Sequence, residues 1–242
     1  MNGSIFFVLA AGFLTVFGLI AYAGYLAAKK RREALAGLAA ARGWTYAERD
    51  DQYVDRFSGA PFGLGHRRRA ENVLTGNHDG RSFVAFDYCY YTTETSTDAQ
   101  GHTSTREQAH PYSVIALNLG AAVPELSVTP EGFFGRMVGR LTNSDIELES
   151  EVFNRAFTVH CADRKFATDV LHPRMMEYLL KDPDLGWSLR DQSLLLVHAG
   201  RHAVPEIDAK LLVGDGILDQ VPGFVREQFG LPNPPPPSAP AS

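Results

Sequence analysis

The pattern of apolar and polar positions divides the chain first at its N-terminus, where residues 5–28 contain no charged side chain. An α-helix rises about 1.5 Å per residue, so this run is roughly 36 Å long. The hydrocarbon core of a bilayer is about 30 Å thick, and a helix of this length crosses it with modest tilt. The pattern therefore predicts a single transmembrane helix, with residues 1–28 as the anchor.

Four basic residues follow the apolar run directly: Lys29, Lys30, Arg31 and Arg32. Because residues 1–4 carry no basic side chain, the positive-inside rule places the N-terminus outside the cell membrane and the large domain in the cytoplasm. The four basic side chains are candidates for contact with anionic lipid headgroups. The Ala- and Leu-rich residues after them end at Gly43, so we expect residues 29–43 to form a basic juxtamembrane helix.

A cleaved secretory signal is the alternative interpretation of the apolar run. Ala21 and Ala23 have the small side chains of a cleavage site, but a signal peptide also begins with a basic region. The chain has no basic residue before Lys29, which favours a retained anchor.

Apolar runs in the first half of the remaining chain predict two β-hairpins. Residues 72–75 and 81–91 flank a turn rich in Gly, Asn and Asp, which is typical of a hairpin. The second arm is apolar on both faces, as in a central strand that is covered on both sides. A polar stretch at 92–108 separates this arm from another apolar run at 111–119. We expect a second, long hairpin there, with a projecting tip near 98–101.

A basic segment, His66 to Arg69, follows a turn-rich stretch at 58–65. The glycines of this stretch lack the Gly-Lys-Ser/Thr ending of a phosphate loop and do not match a dinucleotide-binding fingerprint. We interpret the segment as an irregular loop with a solvated basic edge. The alternative is a patch that binds an acidic headgroup or a phosphate.

The most regular pattern lies between residues 153 and 197. Asp163 can cap a helix that begins at Arg164, and Pro173 suits the first turn of the next helix. Beyond residue 120 we expect strands at 126–128, 146–148, 157–161, 186–189 and 193–197, and helices at 133–141, 164–171, 173–181, 207–218 and 222–229. Residues 231–242 are proline-rich and predict a disordered tail without a core.

These elements predict an α+β fold, in which one transmembrane helix precedes a mixed domain. The sheet is expected to be largely antiparallel, with the helices of residues 164–181 packed on one face. The 242 residues and 45% hydrophobic content suffice for one anchor and one sizeable core. The soluble domain is expected to span 44–230, and a division into 44–142 and 143–230 is the alternative.

Charge and cysteine content exclude several classes of function. A net charge of −5 and a pI near 5.9 give no general basis for binding nucleic acid. Cys89 and Cys161 are too few for a disulfide framework and suit a reducing cytoplasm, and their apolar strands predict buried structural thiols. The sequence contains no HExxH, GxSxG, CxxC or EF-hand motif, so we predict no catalytic residue, metal or cofactor.

Two functions of different classes remain. The anchor and the basic segment, without a catalytic signature, favour a binding or scaffold module at the inner membrane face. Its partners would be the lipid bilayer and other membrane or cytoplasmic proteins. The alternative is a membrane-tethered, hydrolase-like enzyme whose site is assembled from Arg67, Arg69, His160 and Cys161. A cleft in which these side chains converge would favour the enzyme.

A strand–helix–helix–hairpin unit between residues 149 and 198 also carries a resemblance to a known family. The spacing is set by Phe157, Val159, Asp163, Phe166, Ala167, Val170, Leu171, Pro173, Met176, Glu177, Leu179, Leu180 and residues 194–197. It resembles a bacterial family of membrane-anchored domains of unknown function. The resemblance implies a transmembrane segment followed by this unit. It implies no activity, cofactor or functional residue.

Overall fold

The computed structural model describes residues 2–97, 101, 103–131 and 146–234, with side chains from residue 12 onward. A long N-terminal helix precedes an eight-stranded antiparallel sheet with further helices, so the predicted α+β fold is confirmed. In chain order the elements are α1 (Asn2–Arg42), β1 (Thr45–Arg49), a 3-10 turn (Asp51–Tyr53), β2 (His66–His78), β3 (Arg81–Thr97), β4 (Thr103–Asn118), β5 (Leu126–Pro130), α2 (Glu151–Ala156), β6 (Phe157–Cys161), α3 (Arg164–Val170), α4 (Pro173–Leu179), β7 (Gly186–Arg190), β8 (Ser193–Ala199), α5 (Glu206–Asp219) and α6 (Gly223–Phe229).

Helix α1 changes its surroundings part-way along its length. Within Gly12–Arg42, the most apolar window has a mean hydropathy of 1.4 and is wholly exposed, so the helix can cross a membrane by length and composition. Its last turns instead pack on the domain, where Leu35 is 0% and Ala39 is 2% exposed. A candidate transmembrane helix near the N-terminus supports membrane association.

One continuous sheet crosses the whole domain in the order β1-β2-β3-β4-β8-β7-β5-β6, and all neighbours are antiparallel. The central contact joins β4 to β8, for example Val114 to Val197. Strands from before and after residue 142 therefore share one sheet.

The two faces of the sheet are covered differently. Helices α3 to α6 and the end of α1 pack on one face, around large buried side chains such as Trp187 and Met175. The segment at residues 50–65 covers the other face, where Phe62 packs on Tyr88 and Phe57 stacks on Phe86. Strand β3 is thus buried on both sides, as its apolar pattern predicts.

Local sequence signals, such as caps and turns, predicted most helices and strands at the positions where they are found. The Asp163 side chain accepts a hydrogen bond from the Phe166 N–H at 3.0 Å, and Pro173 occupies the first turn of α4. Both hairpins are confirmed, with β3 and β4 paired as far as Thr97 opposite Thr103. Residues 98–100 of the expected hairpin tip lie outside the described residues, as does the helix expected at 133–141.

Four expectations need correction or adjustment. His66 to Arg69 belong to β2 and not to an irregular loop, and residues 146–148 form no strand. Helix α2 was not expected, because its six residues are too few for a clear helical period. The expected tail begins against the domain, since the Pro232 carbonyl accepts a 2.6 Å hydrogen bond from Arg226 Nη1.

Candidate functional site at the junction of helix and domain

A largely buried ion pair joins α1 to the centre of the sheet, with the Arg31 side chain 23% exposed. Asp87 lies on β3, and its side chain is 3% exposed. Arg31 of α1 contacts both carboxylate oxygens, with Nη1 2.7 Å from Oδ2 and Nη2 3.1 Å from Oδ1. This forked arrangement is characteristic of strong pairs between arginine and a carboxylate. The pair fixes α1 against β3 at the level of Asp87.

Further hydrogen bonds satisfy the polar atoms of this pair. Asn72 Nδ2 donates to Asp87 Oδ2, and the His202 backbone N–H donates to Oδ1, each over 2.9 Å. Arg31 also donates to the His202 carbonyl from Nε at 3.0 Å and from Nη2 at 2.7 Å. The Tyr46 hydroxyl donates to Asn72 Oδ1 at 2.9 Å. We call these five residues the junction; because its charges are paired and bonded, burying them is tolerated.

His202 is a neutral member of the junction. Its side chain is buried, and Nε2 lies 3.0 Å from the Val114 carbonyl, which can only accept, so Nε2 carries the proton. Burial lowers the pKa of His202 to about 4, against the opposing attraction of Asp87. The imidazole is therefore uncharged at neutral pH.

Acid should weaken the junction through His202. Its pKa in the folded chain lies below the value of about 6.5 for an unfolded chain, so the unfolded state binds more protons below that pH. The stability is complete above pH 6.5 and falls as the pH drops toward 4, by up to about 3 kcal/mol. The measurement is the free energy of unfolding of the full chain in micelles against pH. The control is His202→Gln, which keeps a donor for Val114 but does not titrate; an equal pH dependence in both proteins would contradict the role of His202.

Apolar and polar contacts extend the docking of α1 beyond the junction. Leu35 and Ala39 face the core on the helical side of the sheet. Arg42 pairs with Asp208 of α5 at 2.6 Å. Trp44 then packs edge-on against Phe83, with ring centroids 4.8 Å apart. The end of α1 is thus held along several turns, so that the anchor and the domain are joined without a flexible linker.

The structure gives different surroundings to the four basic residues that were candidates for headgroup contact. Arg31 is directed into the domain, where Asp87 and His202 bind its guanidinium. Arg32 lies 3.6 Å from Glu48, and Lys29 lies 3.9 Å from Glu33 on the surface. Lys30 is exposed. Arg31 therefore has a structural partner that its position in a basic cluster did not indicate, and headgroup contact by the other three stays a prediction.

The basic segment at His66 to Arg69 is paired within the chain. Arg67 Nη1 is 2.7 Å and His66 Nε2 is 3.3 Å from the Glu107 carboxylate of β4. Arg68 pairs with Asp55 at 2.6 Å, and Arg69 donates to the Tyr91 hydroxyl at 2.6 Å. These contacts join β2 to the β3–β4 hairpin and, through Arg68, to the segment at residues 50–65.

The residues of the alternative hydrolase do not converge. Arg67 and Arg69 lie on β2, whereas His160 and Cys161 lie on β6, at the far edge of the sheet. Six strand spacings separate β2 from β6, which is about 29 Å at roughly 4.8 Å per spacing. Burial raises the pKa of the Cys161 thiol, and its Sγ donates to the Asp163 carbonyl at 3.1 Å. The side chains named for the alternative, hydrolase-like site are therefore not brought together in this structure.

Other candidates for ligand chemistry are weak within the described ranges. No group of three or more His, Cys, Asp or Glu side chains that could hold a metal ion occurs there. Cys89 and Cys161 are both free thiols and buried. A recess of about 290 Å³ between α5 and the loop that follows α4 is lined by Asp182, His198, Lys210 and neighbours. Lys210 is bound there to Glu206 at 3.4 Å, so its charge is already paired.

Asp87 and His202 are the residues that sequence reasoning missed. Asp87 is the single charged residue between Arg81 and Glu94, inside the most apolar strand of the domain. A lone carboxylate in a strand that is covered on both sides requires a buried cationic partner. That signal was present, but nothing in the sequence indicated that Arg31 was the partner.

No protein-family model matches the chain, and no curated protein matches it. Among solved structures, the chain is similar to the crystal structure of the mycobacterial trehalose monomycolate transport factor A, TtfA. The two chains are 16% identical with a TM-score of 0.53, and the match covers 86% of this chain and 97% of that one. At this identity, the likeness shows a shared fold.

Proposed function

We propose that this protein is a single-pass membrane protein whose cytoplasmic domain acts as a binding or scaffold module at the membrane. The junction is the observation that carries the proposal. A domain on a flexible tether would not need a buried, fully bonded ion pair to its anchor. The Arg31–Asp87 pair instead holds the domain in one orientation next to the bilayer. A fixed orientation is useful to a module that presents one surface to partners in the same membrane.

The interior of the domain supports a module rather than a hydrolase. The two faces of the sheet are filled by two clusters of buried apolar side chains. The side chains named for the alternative, dispersed active site lie on β2 and β6, six strand spacings apart in the sheet. Function in such a domain belongs to its surface, since its interior is occupied by packing.

Two classes of partner are part of the proposal. Lys29, Lys30 and Arg32 lie where α1 meets the anionic inner leaflet, and each basic residue near that surface contributes about 1 kcal/mol of attraction. The shared fold with a protein named as a trehalose monomycolate transport factor leads us to propose membrane transport proteins as the protein partners to be sought first. The resemblance to a family of membrane-anchored domains agrees with this setting and stays a prediction.

The first step of the test is the topology of the full chain. A reporter that is active only in the cytoplasm is fused after Ser242. We expect activity, because four basic residues directly follow the apolar run. A matched fusion with a reporter active only outside the cytoplasm should be silent. The opposite pair of results would overturn the cytoplasmic placement.

The second step is retention of a partner. The full chain is cross-linked in native membranes, purified and compared with a variant in which an unrelated apolar helix of equal length replaces residues 12–28. A module that binds through its domain retains the same membrane protein with both helices. Loss of that protein with the replaced helix would assign binding to the anchor. No retained protein and no retained anionic lipid with either chain would overturn the module.

A further inference from the structure

The recess between α5 and the loop that follows α4 has apolar surface at its base and charged side chains at its mouth. Leu185 is 5% exposed, whereas Asp182 and Asp184 are exposed. The volume of about 290 Å³ is at the lower limit of the roughly 300–1,000 Å³ that is usual for small-molecule pockets. The recess therefore suits a single side chain better than a whole small molecule. Its apolar lining consists of Leu185, Ala209 and Val213, and its polar lining of Asp182, Asp184, His198, Glu206 and Lys210.

The carboxylates of the recess outnumber its cations. Lys210 Nζ lies 3.4 Å from Glu206 Oε2, so these two charges are paired. Asp182 and Asp184 have no ion-pair partner within the described part of the chain. Two unpaired like charges at the mouth attract a cation from another molecule and orient its approach.

His198 does not offset this surplus of negative charge. Burial lowers the pKa of its imidazole, and Lys210 lowers it further, against the attraction of the three carboxylates. The imidazole is therefore neutral near pH 7. The lining then holds three carboxylates against one ammonium, a net charge of −2. The nearby Lys181 is directed to the ring of Tyr178, with its Nζ 5.5 Å from the centroid.

The recess lies in the same row of the sheet as the junction. Asp87 on β3 pairs with Ser113 on β4, and Ser113 pairs with His198 on β8. The distance from Asp87 to His198 is thus two strand spacings, about 10 Å. Arg31, which binds Asp87, follows the end of the apolar run at Ala28 by about 4.5 Å along α1. Whatever the tilt of the domain, the recess lies near the point at which α1 leaves the bilayer.

We propose that the recess binds a lysine or arginine side chain from the cytoplasmic juxtamembrane segment of a partner membrane protein. The carbon stem of this side chain packs on the apolar base, while its charge meets the carboxylates at the mouth. Cytoplasmic segments within about 15–20 residues of a transmembrane helix carry an excess of lysine and arginine, so this chemistry is abundant close to the recess. The inference rests on the proposed module function and specifies how the partner is recognised.

Other occupants fit the recess less well. Anionic lipid headgroups are repelled by a lining with a net charge of −2. The juxtamembrane segment of a second copy of this chain is also a poor occupant. Three of its four basic residues, Lys29, Arg31 and Arg32, already have carboxylate partners within their own chain.

Binding of a defined peptide to the full chain tests the two free carboxylates. The chain is reconstituted in nanodiscs of neutral phosphatidylcholine, and the probe is a fluorescent hexapeptide of alternating leucine and arginine. Fluorescence anisotropy measures the Kd. Asp182→Asn combined with Asp184→Asn should raise the Kd roughly tenfold, because each exposed ion pair is worth up to about fivefold in affinity. A hexapeptide with citrulline in place of arginine has no charge, and it should bind the unsubstituted chain no better than the arginine peptide binds the double variant.

Asp191→Asn is the matched control for charge. Asp191 is exposed and lies in the turn before β8, whereas His198 is near the other end of that strand. Its φ of 51° is in the left-handed region, which asparagine also adopts readily. This variant should change the Kd by less than about twofold.

Ala209→Trp tests the recess itself, because it fills the space without changing any charge. Ala209 is exposed, so the larger side chain should leave the Tm unchanged. It should weaken binding of the arginine peptide as much as the double variant does. Gln192→Trp, in the exposed turn before β8, is the control for bulk. No binding of the arginine peptide, an unchanged Kd for the double variant, or equal Kd values for the two tryptophan variants would overturn the proposal.

Retention in native membranes extends the test to the natural partner. The full chain, the double variant and Asp191→Asn are each cross-linked in native membranes and purified. The amount of retained membrane protein should decrease several-fold with the double variant only. Replacing the lysines and arginines of that protein's juxtamembrane segment by glutamine should lower its retention by the unsubstituted chain to the same level. Combining both sets of changes should cause little further loss, because they remove the same contact.

Different results would overturn the recess and the module. Undiminished retention by the double variant, or additive losses in the combined variants, would exclude the recess and leave the module function intact. Retention of a second, differently tagged copy of this chain through the two carboxylates would also exclude a partner of another kind. No retained protein with the unsubstituted chain would overturn both.

Discussion

Substitution of Asp87 by alanine is expected to lower the stability of the full chain by about 3 kcal/mol, the effect of removing one partner of a buried ion pair. The change leaves the guanidinium of Arg31 without its carboxylate. It also leaves the Asn72 amide and the His202 N–H without the acceptor that they now share. Unsatisfied buried donors add to the loss, because each retains its cost of desolvation.

The measurement is thermal unfolding of the full chain in micelles, followed by circular dichroism. For a domain of this size, about 3 kcal/mol corresponds to a decrease in Tm of roughly 10 °C. Asp55→Ala is the matched control, because Asp55 also forms a 2.6 Å ion pair, but with a side chain that is 72% exposed. That variant should lose less than about 1 kcal/mol. Arg31→Lys, which keeps the charge but not the fork, should fall between the two. Equal Tm values for Asp87→Ala and Asp55→Ala would show that the pair does not stabilise the junction.

Leu35→Ala is expected to have an effect of similar size, a loss of about 2–4 kcal/mol. Leu35 belongs to the juxtamembrane end of α1 and is 0% exposed, so the substitution removes buried methyl groups and leaves a cavity under the helix. Because β1 follows α1 after two residues, loosening this helix also loosens the first strand of the sheet.

Leu212→Ala provides the comparison for Leu35. Leu212 is also on a helix, but 63% of its surface is exposed, so its truncation should change stability by less than about 0.5 kcal/mol. Unfolding in micelles by urea measures both variants. Limited digestion with trypsin near Lys29 to Arg42 should be faster for Leu35→Ala, because its helix detaches more often. A Leu35→Ala protein with unchanged stability would mean that α1 is an accessory to the domain and not part of its core.

Local signals in the sequence account for much of the fold. The Asp79-Gly80 turn, the Asp163 cap and Pro173 each act through one or two residues, and each element lies where those residues predict it. The start of β2 was not predicted as a strand, because His66 to Arg69 are polar. They form a strand because their backbone pairs with β3, from His66 opposite Tyr91 to Arg69 opposite Cys89. Tertiary contacts, and not the amino-acid composition of residues 66–69, therefore determine that this segment is a strand.

The junction shows the same limit of sequence-based prediction at the candidate functional site. The apolar run and the basic residues after it indicated where the chain meets the membrane. They did not distinguish Arg31, which turns inward, from Lys30, which stays exposed. The distinction depends on which face of α1 meets Asp87, 56 positions later, and on His202, 115 positions after Asp87. Contacts between residues so far apart produce no recognisable pattern of residue spacing in a single sequence.

Because α1 is continuous, the rotation of the domain about the helix axis is fixed relative to the N-terminal turns of the same helix. No break separates the apolar run from the turns that hold the domain, since the helix extends from Asn2 to Arg42. Each residue of an α-helix advances the chain by about 100° and 1.5 Å. The number of residues between the lipid-embedded turns and Arg31 therefore sets the azimuth of the domain around its anchor. The length of the helix therefore determines the direction along the membrane in which the domain faces its neighbours.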